Sequence, residues 1–424
     1  MPRSRILALA GTILLLLSPA LHAKTPCDIQ HFKPRFTAQT EGQVISDAAA
    51  LAGALQNARG GETYLLAPGN YGTLKLGKAF PSAVVIRSAD PRKPACFNRM
   101  EIKETSNLHL DGIYFDYIFK RGEPEHIAYF AIQNSSKVKI SNSVFGGDQA
   151  EGTETLADGD GTGLGLLILY TTDVDIENTE FKNWWKGIMA INSSEVSITD
   201  SHVHSIRSDG LVFDNVDDIW VERNYFHDFG SKAGSQDHRD MIQIQRANKS
   251  GSMNITIRGN IFDMGVGGFT QTIWAGGDGQ DLGDRQMRHR NVLIENNIIY
   301  NGHIHGISIH GSDNISVRKN TLIHVPGGHS VPTINISSDS TSVVIEQNAT
   351  APIIGYEGQR DWVVLNNAII QDQSPSRGGY YDNEFIYYAI GRRNGYNEYG
   401  VRQGGVIDQL QAGSTLAETY PSRR

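Results

Sequence analysis

One six-residue pattern recurs, with small variations, ten times between residues 110 and 369: apolar, any, polar, small polar, any, apolar. It reads LDGIYF at 110–115, ISNSVF at 140–145, IENTEF at 176–181, ITDSHV at 198–203 and VERNYF at 221–226. It continues as IRGNIF at 257–262, IENNII at 294–299, VRKNTL at 317–322, IEQNAT at 345–350 and VLNNAI at 364–369. Successive copies start 19 to 37 residues apart, and the shorter spacings suit one coil of three short strands and three turns. Asn takes the fourth place in six of the ten copies. Asn tolerates left-handed backbone and hydrogen-bonds its neighbours, so the pattern predicts a tight turn between two sheets. Propellers and sandwiches need longer, hairpin-bounded units. The expectation is a single solenoid domain.

Between the turns lie strands with two unlike sides. In His238-Arg239-Asp240-Met241-Ile242-Gln243-Ile244-Gln245 the isoleucines alternate with glutamines, so one side is buried and the other faces water. Leu211–Asp214 and Ile307–His310 keep the same beat. Stacked, their polar sides form one stripe, read here as the working surface. The longest spacings come from insertions at 146–163, 227–240 and 276–290. The first two enter the stripe and the third leaves it, which makes walls on both edges of one sheet.

Aligning the strands by their buried residues puts Lys186, Asp209, Asp240 and His305 in one column just before the strand. Arg207, His238 and His303 lie two residues earlier. A second outward column holds Asp214, Gln245, Trp274 and His310, with Val212, Gln243 and Ser308 beside it. Rungs of such a coil are roughly 4.8 Å apart, so column mates are near neighbours.

Composition narrows the class. Of 424 residues, 38 are Lys or Arg and 46 Asp or Glu, giving a net charge of −8, with 45 Gly. No basic stripe points to nucleic acid, and no nucleotide, haem or zinc motif is present. Residues 1–23 read as a signal peptide: Arg3 and Arg5, the apolar run Ile6 to Leu17, then Leu21-His22-Ala23. The apolar run is short of the roughly 20 residues a membrane span needs. Cleavage removes two Arg and no acid, so the net charge falls from −8 to −10. The mature chain, a secreted or periplasmic monomer, is expected as a coil over 24–375 with a C-terminal capping segment over 376–424. Cys27 and Cys96 both survive cleavage, and neither has a neighbouring metal motif. A disulfide between them, worth roughly 4 kcal/mol by loop entropy, would strap the new N-terminus to the first coils.

Residues 44–58 read as a short amphipathic helix capped by Ser46 or Asp47, with Ala48, Leu51, Ala52 and Leu55 on its apolar face and Gly60-Gly61 as its stop. The stretch GETYLLAPGNYGTLKL follows. This opening resembles that of right-handed parallel β-helix proteins, in which a helix covers the open end of the coil. With the Asn-rich turn, the chain resembles the pectate-lyase superfamily, and its opening motif is similar to that of chondroitinase B-like alginate lyases. The resemblance implies an all-β, single-stranded right-handed parallel β-helix of about ten or more coils with an N-terminal capping helix. It also implies an extended polysaccharide bound along the coil axis, often cleaved by β-elimination at a uronic acid. The Lys and Arg motifs of the alginate lyases are absent. The polygalacturonase pattern matches only loosely, at His305-Gly306 and Arg318-Lys319.

Elimination needs the uronate carboxylate neutralised, a base at the neighbouring proton and an acid at the leaving oxygen. Arg207, Arg239 or Lys186 could neutralise, or Ca²⁺ held by Asp209, Asp214 and Asp240 could do so. His238 is the expected base and His305 or His310 the acid, with Asp240 and Arg207 completing the catalytic set. Lys186, Asp209, Asp214, Arg239, Gln243, Gln245 and Trp274 would contact the sugar. The alternatives are a glycoside hydrolase using Asp209, Asp214 and Asp240, a uronate epimerase, and a non-catalytic glycan binder relying on Trp274, Gln243 and Gln245.

Overall fold

The computed structural model describes Cys27, Thr37 and residues 40–420, apart from 248–249, 265–268, 278–283, 326–327, 373–380 and 389–397. The expected signal peptide at 1–23 and part of the C-terminal segment lie outside these residues. No helix among the described residues is long and apolar enough to cross a membrane.

Parallel strands wind along three faces of a coil. The first face stacks Thr73–Leu76, Arg99–Lys103, Phe130–Gln133, Leu164–Leu169, the start of Lys186–Thr199, the start of Leu211–Glu222, Asp240–Gln245, Gln271–Ala275, His305–Ile309 and Thr333–Ile336. The chain then bends at left-handed residues such as Asn192 and Asn215 into the second face. The third face is a separate sheet of 12 short strands, among them Tyr225–His227, Ile261–Asp263 and Ile298–Asn301. The expected all-β coil is what forms.

The repeated hexapeptide is the corner between the second and third faces. Its third residue is the left-handed one in all ten copies: Gly112, Asn142, Asn178, Asp200, Arg223, Gly259, Asn296, Lys319, Gln347 and Asn366 have φ between 47° and 67°. The Asn at the fourth place, expected to serve the tight backbone, does something else. Asn224, Asn260, Asn297, Asn320 and Asn348 are buried and stack into a ladder. Each donates its backbone N–H and its side-chain amide to the Oδ1 of the next, at 2.9–3.1 Å. A side chain that both donates and accepts, repeated at rung spacing, satisfies every buried amide along the corner.

Inside the coil one apolar cluster runs from Ile45 to Trp362. Phe97, Phe115, Phe145 and Phe181 stack within it, with ring centroids 6.3, 4.3 and 4.6 Å apart. The helix Ala48–Asn57 closes the N-terminal end. Asp47, not Ser46, is its cap, accepting from the Ala50 N–H at 2.8 Å. Leu51 and Leu55 are its buried residues, whereas Ala48 and Ala52 face solvent. Cys27 and Cys96 are joined by a disulfide. From the C-terminal segment, Phe385, Val401, Ile407 and Ala412 pack on Ile298, Tyr300, Ile323 and Ala349 of the third face.

Candidate functional site

The register of the first face runs Lys186, Asp209, Asp240, Gln271, His305. Lys186 to Asp209 follows one step before Gly187, from the pairing of Ile188 with Leu211. The expected column is thus assembled, with Gln271 filling the rung between Asp240 and His305. These polar residues stand at the same height, at the start of their strands or, for Asp209, two residues before, because the inward apolar residues fix the pleat.

The members are linked along the axis. Lys186 Nζ pairs with Asp209 Oδ2, and Asp209 Oδ1 accepts from the Asp240 N–H at 2.9 Å. His238 Nδ1 lies 2.9 Å from Asp240 Oδ2, off the line of a regular hydrogen bond. The Gln271 amide donates to His238 Nε2 at 2.8 Å, and its carbonyl oxygen accepts from His305 Nδ1. Donation into Nε2 leaves the His238 proton on Nδ1, toward Asp240. The backbone N–H of His305 donates to His303 Nδ1 at 3.1 Å.

Burial sorts these groups into two layers. Asp209 and Asp240 are 1 % and 0 % exposed, whereas the His238 side chain is 54 % exposed. The aspartates expected on a solvated surface lie instead beneath the imidazole. Burial, the larger effect, pushes the Asp240 carboxyl up to about 6, and the charge on Asp209 adds to it against the pull of His238. Burial, then the charges of His310 and His238, lowers His305 below the usual histidine range. Burial brings His303 down to about 4.

Trp274 stands in a different column from the expected one. It pairs with Gln243 and Ser308, so the place beside Gln245 and His310 falls to Gly276, next after Ala275. All five residues of Gln271–Ala275 are buried, so no alternation betrays the register. The indole nevertheless leans over Gly276: a Cβ there would meet the ring at 3.1 Å. It ends up with its centroid 6.2 Å from both His238 and His310. Ser308 Oγ and His310 Nε2 are 3.2 Å apart.

Asp214 is buried and accepts from Gln245 Nε2 at 3.2 Å. Five steps along the chain separate it from Asp209, about 17 Å at the usual rise. Asp209, His238 and Asp240 do offer ligand atoms within 4.8 Å of one another. Asp209, however, already holds Lys186 and a backbone N–H, and Asp214 is out of reach. The expected Ca²⁺ set does not come together.

Arg207 does not reach the site. It is 7 % exposed and locked by Asp237, at 2.8 Å from Nε to Oδ2, and by Glu125 at 2.9 Å. Standing two residues before Asp209 and four before the strand Leu211–Glu222, it turns back and ties the segments 117–129 and 227–240 together. Trp185 Nε1 donates to the same Asp237 at 3.3 Å. Arg239 is half-buried, with Nη1 donating to Ser231 Oγ at 3.0 Å. Sequence reading missed Gln271, Glu125, Asp237 and Phe269. The Phe269 ring is 56 % exposed beside His329, with centroids 5.0 Å apart. Counting back two residues from the strand, as for His238, would have found it.

A family model described as right handed beta helix region matches residues 102–350. No relative is found among curated protein sequences. Similar solved structures include a mutant of AlyGC, an alginate lyase of the PL6 family, at 14% identity and TM-score 0.43, covering 88% of this chain and 57% of that one. The surface adhesin PfbA of Streptococcus pneumoniae is 13% identical with TM-score 0.42, covering 86% and 99%. The mannuronan C-5 epimerase AlgE6 A-module of Azotobacter vinelandii is 13% identical with TM-score 0.40, covering 79% and 97%. These likenesses concern the fold.

Proposed function

Because the chain belongs to the right-handed β-helix family, whose coil offers a surface as long as its axis, we propose that its first face binds an extended acidic polysaccharide and that the protein is an exported lyase cleaving it by β-elimination. One observation carries the chemistry: an exposed His238 whose Nδ1 sits over the fully buried Asp240. A carboxylate there orients the ring and favours the imidazolium that forms when Nε2 takes a proton.

In this reading the substrate displaces the Gln271 amide from Nε2, and His238 removes the proton beside the uronate carboxylate. The electron pair left behind forms the carbon–carbon double bond and expels the glycosidic oxygen, which takes a proton from His310. His305, held toward its neutral form, stays a hydrogen-bonding partner of Gln271 and is not the acid. Lys186 and Arg239 are the cations assigned to neutralise the carboxylate. The hydrolase alternative fits less well, since Asp209, Asp214 and Asp240 are each at most 2 % exposed and a glycosidic oxygen cannot reach them. Export is supported by the Cys27–Cys96 disulfide, a bond suited to an oxidising compartment.

The test is to incubate the mature protein with acidic and neutral polysaccharides, following unsaturated-uronate absorbance and new reducing ends. Both should rise together on an acidic polymer, and His238→Ala should abolish both while polymer binding persists. Reducing ends without absorbance would move the assignment to a hydrolase. Unchanged turnover in His238→Ala removes that residue from the mechanism.

A further inference from the structure

Far from His238 on the same face, a cleft of about 580 Å³ opens over Thr73–Leu76, Arg99–Lys103 and Phe130–Gln133. We propose that it is a distal subsite for an anionic sugar unit, held by Lys75, Arg99 and Lys103, with Tyr170 as its stacking edge. The proposal rests on the reading of the first face as a polymer-binding surface and names how far the polymer reaches.

The cleft and the site share one column. Glu101, Ala131, Leu167, Met189, Val212 and Gln243 pair in unbroken succession. Glu101 and Gln243 are therefore five rungs apart, about 24 Å. The four residues between them are uncharged; Ala131, Leu167 and Met189 are half-buried and form a strip on which the apolar face of a sugar ring can lie, whereas Val212 is covered. Both ends of the strip are polar, so a chain with charged units is anchored at its ends and slides over its middle.

Three cations meet two carboxylates in the cleft, leaving a local charge of +1 in a chain whose total is −8. Arg99 Nε is 2.6 Å from Glu101, while Lys75 is 3.7 Å from Glu101 and Lys103 is 3.9 Å from Glu104. Pairs this exposed are weak, so Lys75 and Lys103 are available to a ligand carboxylate.

Tyr170 lies one rung beyond the lining of the cleft, next after Leu169, the register partner of Gln133, and supplies the independent observation. It occupies a turn position at φ 50°, where the neighbouring rungs place Asn134, Asn192 and Asn215 at 46°, 49° and 55°. Left-handed backbone suits Asn and strains Tyr. The ring is 57 % exposed, so burial does not repay the strain. Strain kept without a packing return points to a use for the ring.

The experiment measures dissociation constants of the full mature protein for short and long size fractions of alginate and polygalacturonate, with dextran as the neutral control. Tyr170→Asn and the double variant Lys75→Gln/Lys103→Gln should each bind the long fraction of one acidic polymer about tenfold more weakly and the short fraction unchanged. Tyr170→Asn should also raise the melting temperature, which separates lost binding from lost folding. Added salt should shrink the deficit of the double variant. Wild-type affinity in both variants, an equal loss on short and long fractions, or wild-type binding to dextran alone or to no polymer overturns the subsite. If reducing ends form without unsaturated-uronate absorbance while the length dependence stands, the lyase assignment falls and the subsite survives. The reverse pattern removes the subsite alone.

Discussion

Asp240 Oδ2 lies 2.9 Å below His238 Nδ1, and the two side chains differ by more than half in exposure: the carboxylate is closed off and the imidazole is open. Met241 and Ile242, both buried, hold the strand that carries them. The pair turns a buried charge, costly by itself, into a means of steering an exposed ring.

The buried carboxyl sets a pH signature. Its value of about 6 exceeds the ordinary 3.8, so between these limits the unfolded chain releases its proton first and stability falls as pH rises. The loss is on the order of 3 kcal/mol. Asp240→Asn should therefore gain stability over wild type above pH ~6 and not at pH ~4. Denaturant midpoints at the two pH values check this. The same variant should lose the acid limb near pH 6 in kcat/KM, together with about a hundredfold or more of the rate.

His289 acts in the opposite sense. It is fully buried, its Nδ1 accepts from the Ser252 N–H at 3.0 Å, and burial with the charge of Arg246 brings it to about 3. Below the unfolded value of 6.5 the unfolded chain binds the proton first, so stability drops as pH falls from 6.5 toward 3. The full effect is on the order of 4–5 kcal/mol. His289→Asn keeps an acceptor for Ser252 and should flatten the melting temperature between pH ~4 and ~6. A variant as acid-sensitive as wild type would sink the idea.

The ladder is the next target. Asn297 Oδ1 accepts from the Asn260 N–H at 2.9 Å and from its amide at 3.0 Å, and Asn297 Nδ2 donates to the Ile257 carbonyl at 3.0 Å. Asn297→Ala strands these buried partners and should cost about 3–5 kcal/mol. Urea unfolding measures it. An exposed control such as Gln56→Ala, in the helix Ala48–Asn57, should change stability by no more than about 0.5 kcal/mol.

Arg207→Ala should alter substrate binding and not the chemical step. It removes the tie between Glu125 and Asp237, so KM on a long polymer should rise several-fold while kcat holds within about a factor of two. A kcat collapse with unchanged KM would return Arg207 to the reacting centre.

The coil was readable because its signal is redundant: ten hexapeptides and a steady inward beat of isoleucine. The column Lys186, Asp209, Asp240, His305 followed from the same beat. Trp274 slipped because Gln271–Ala275 is buried throughout and flanked by irregular loops, which leaves nothing to count against. The depth of Asp209 and Asp240 was illegible for another reason. Alternation says which way a side chain points, but neighbouring rungs and walls decide whether water reaches it. Arg207 was misjudged on the same ground, since Glu125 and Asp237 come from segments that no repeat positions.

The Asn corner has one length in all ten copies, whereas every long insertion falls at the corners that flank the first face. Laboratory recombination is thereby given a territory of its own, apart from the spine. Loops from other coils of this kind can be grafted within 146–163, 227–240 or 276–290, provided that Asp237 to Asp240 and His289 are kept, without disturbing the stack that holds the rungs in phase. A library confined to the rest of those three segments would change what the groove accepts while leaving the spine and the reacting pair intact.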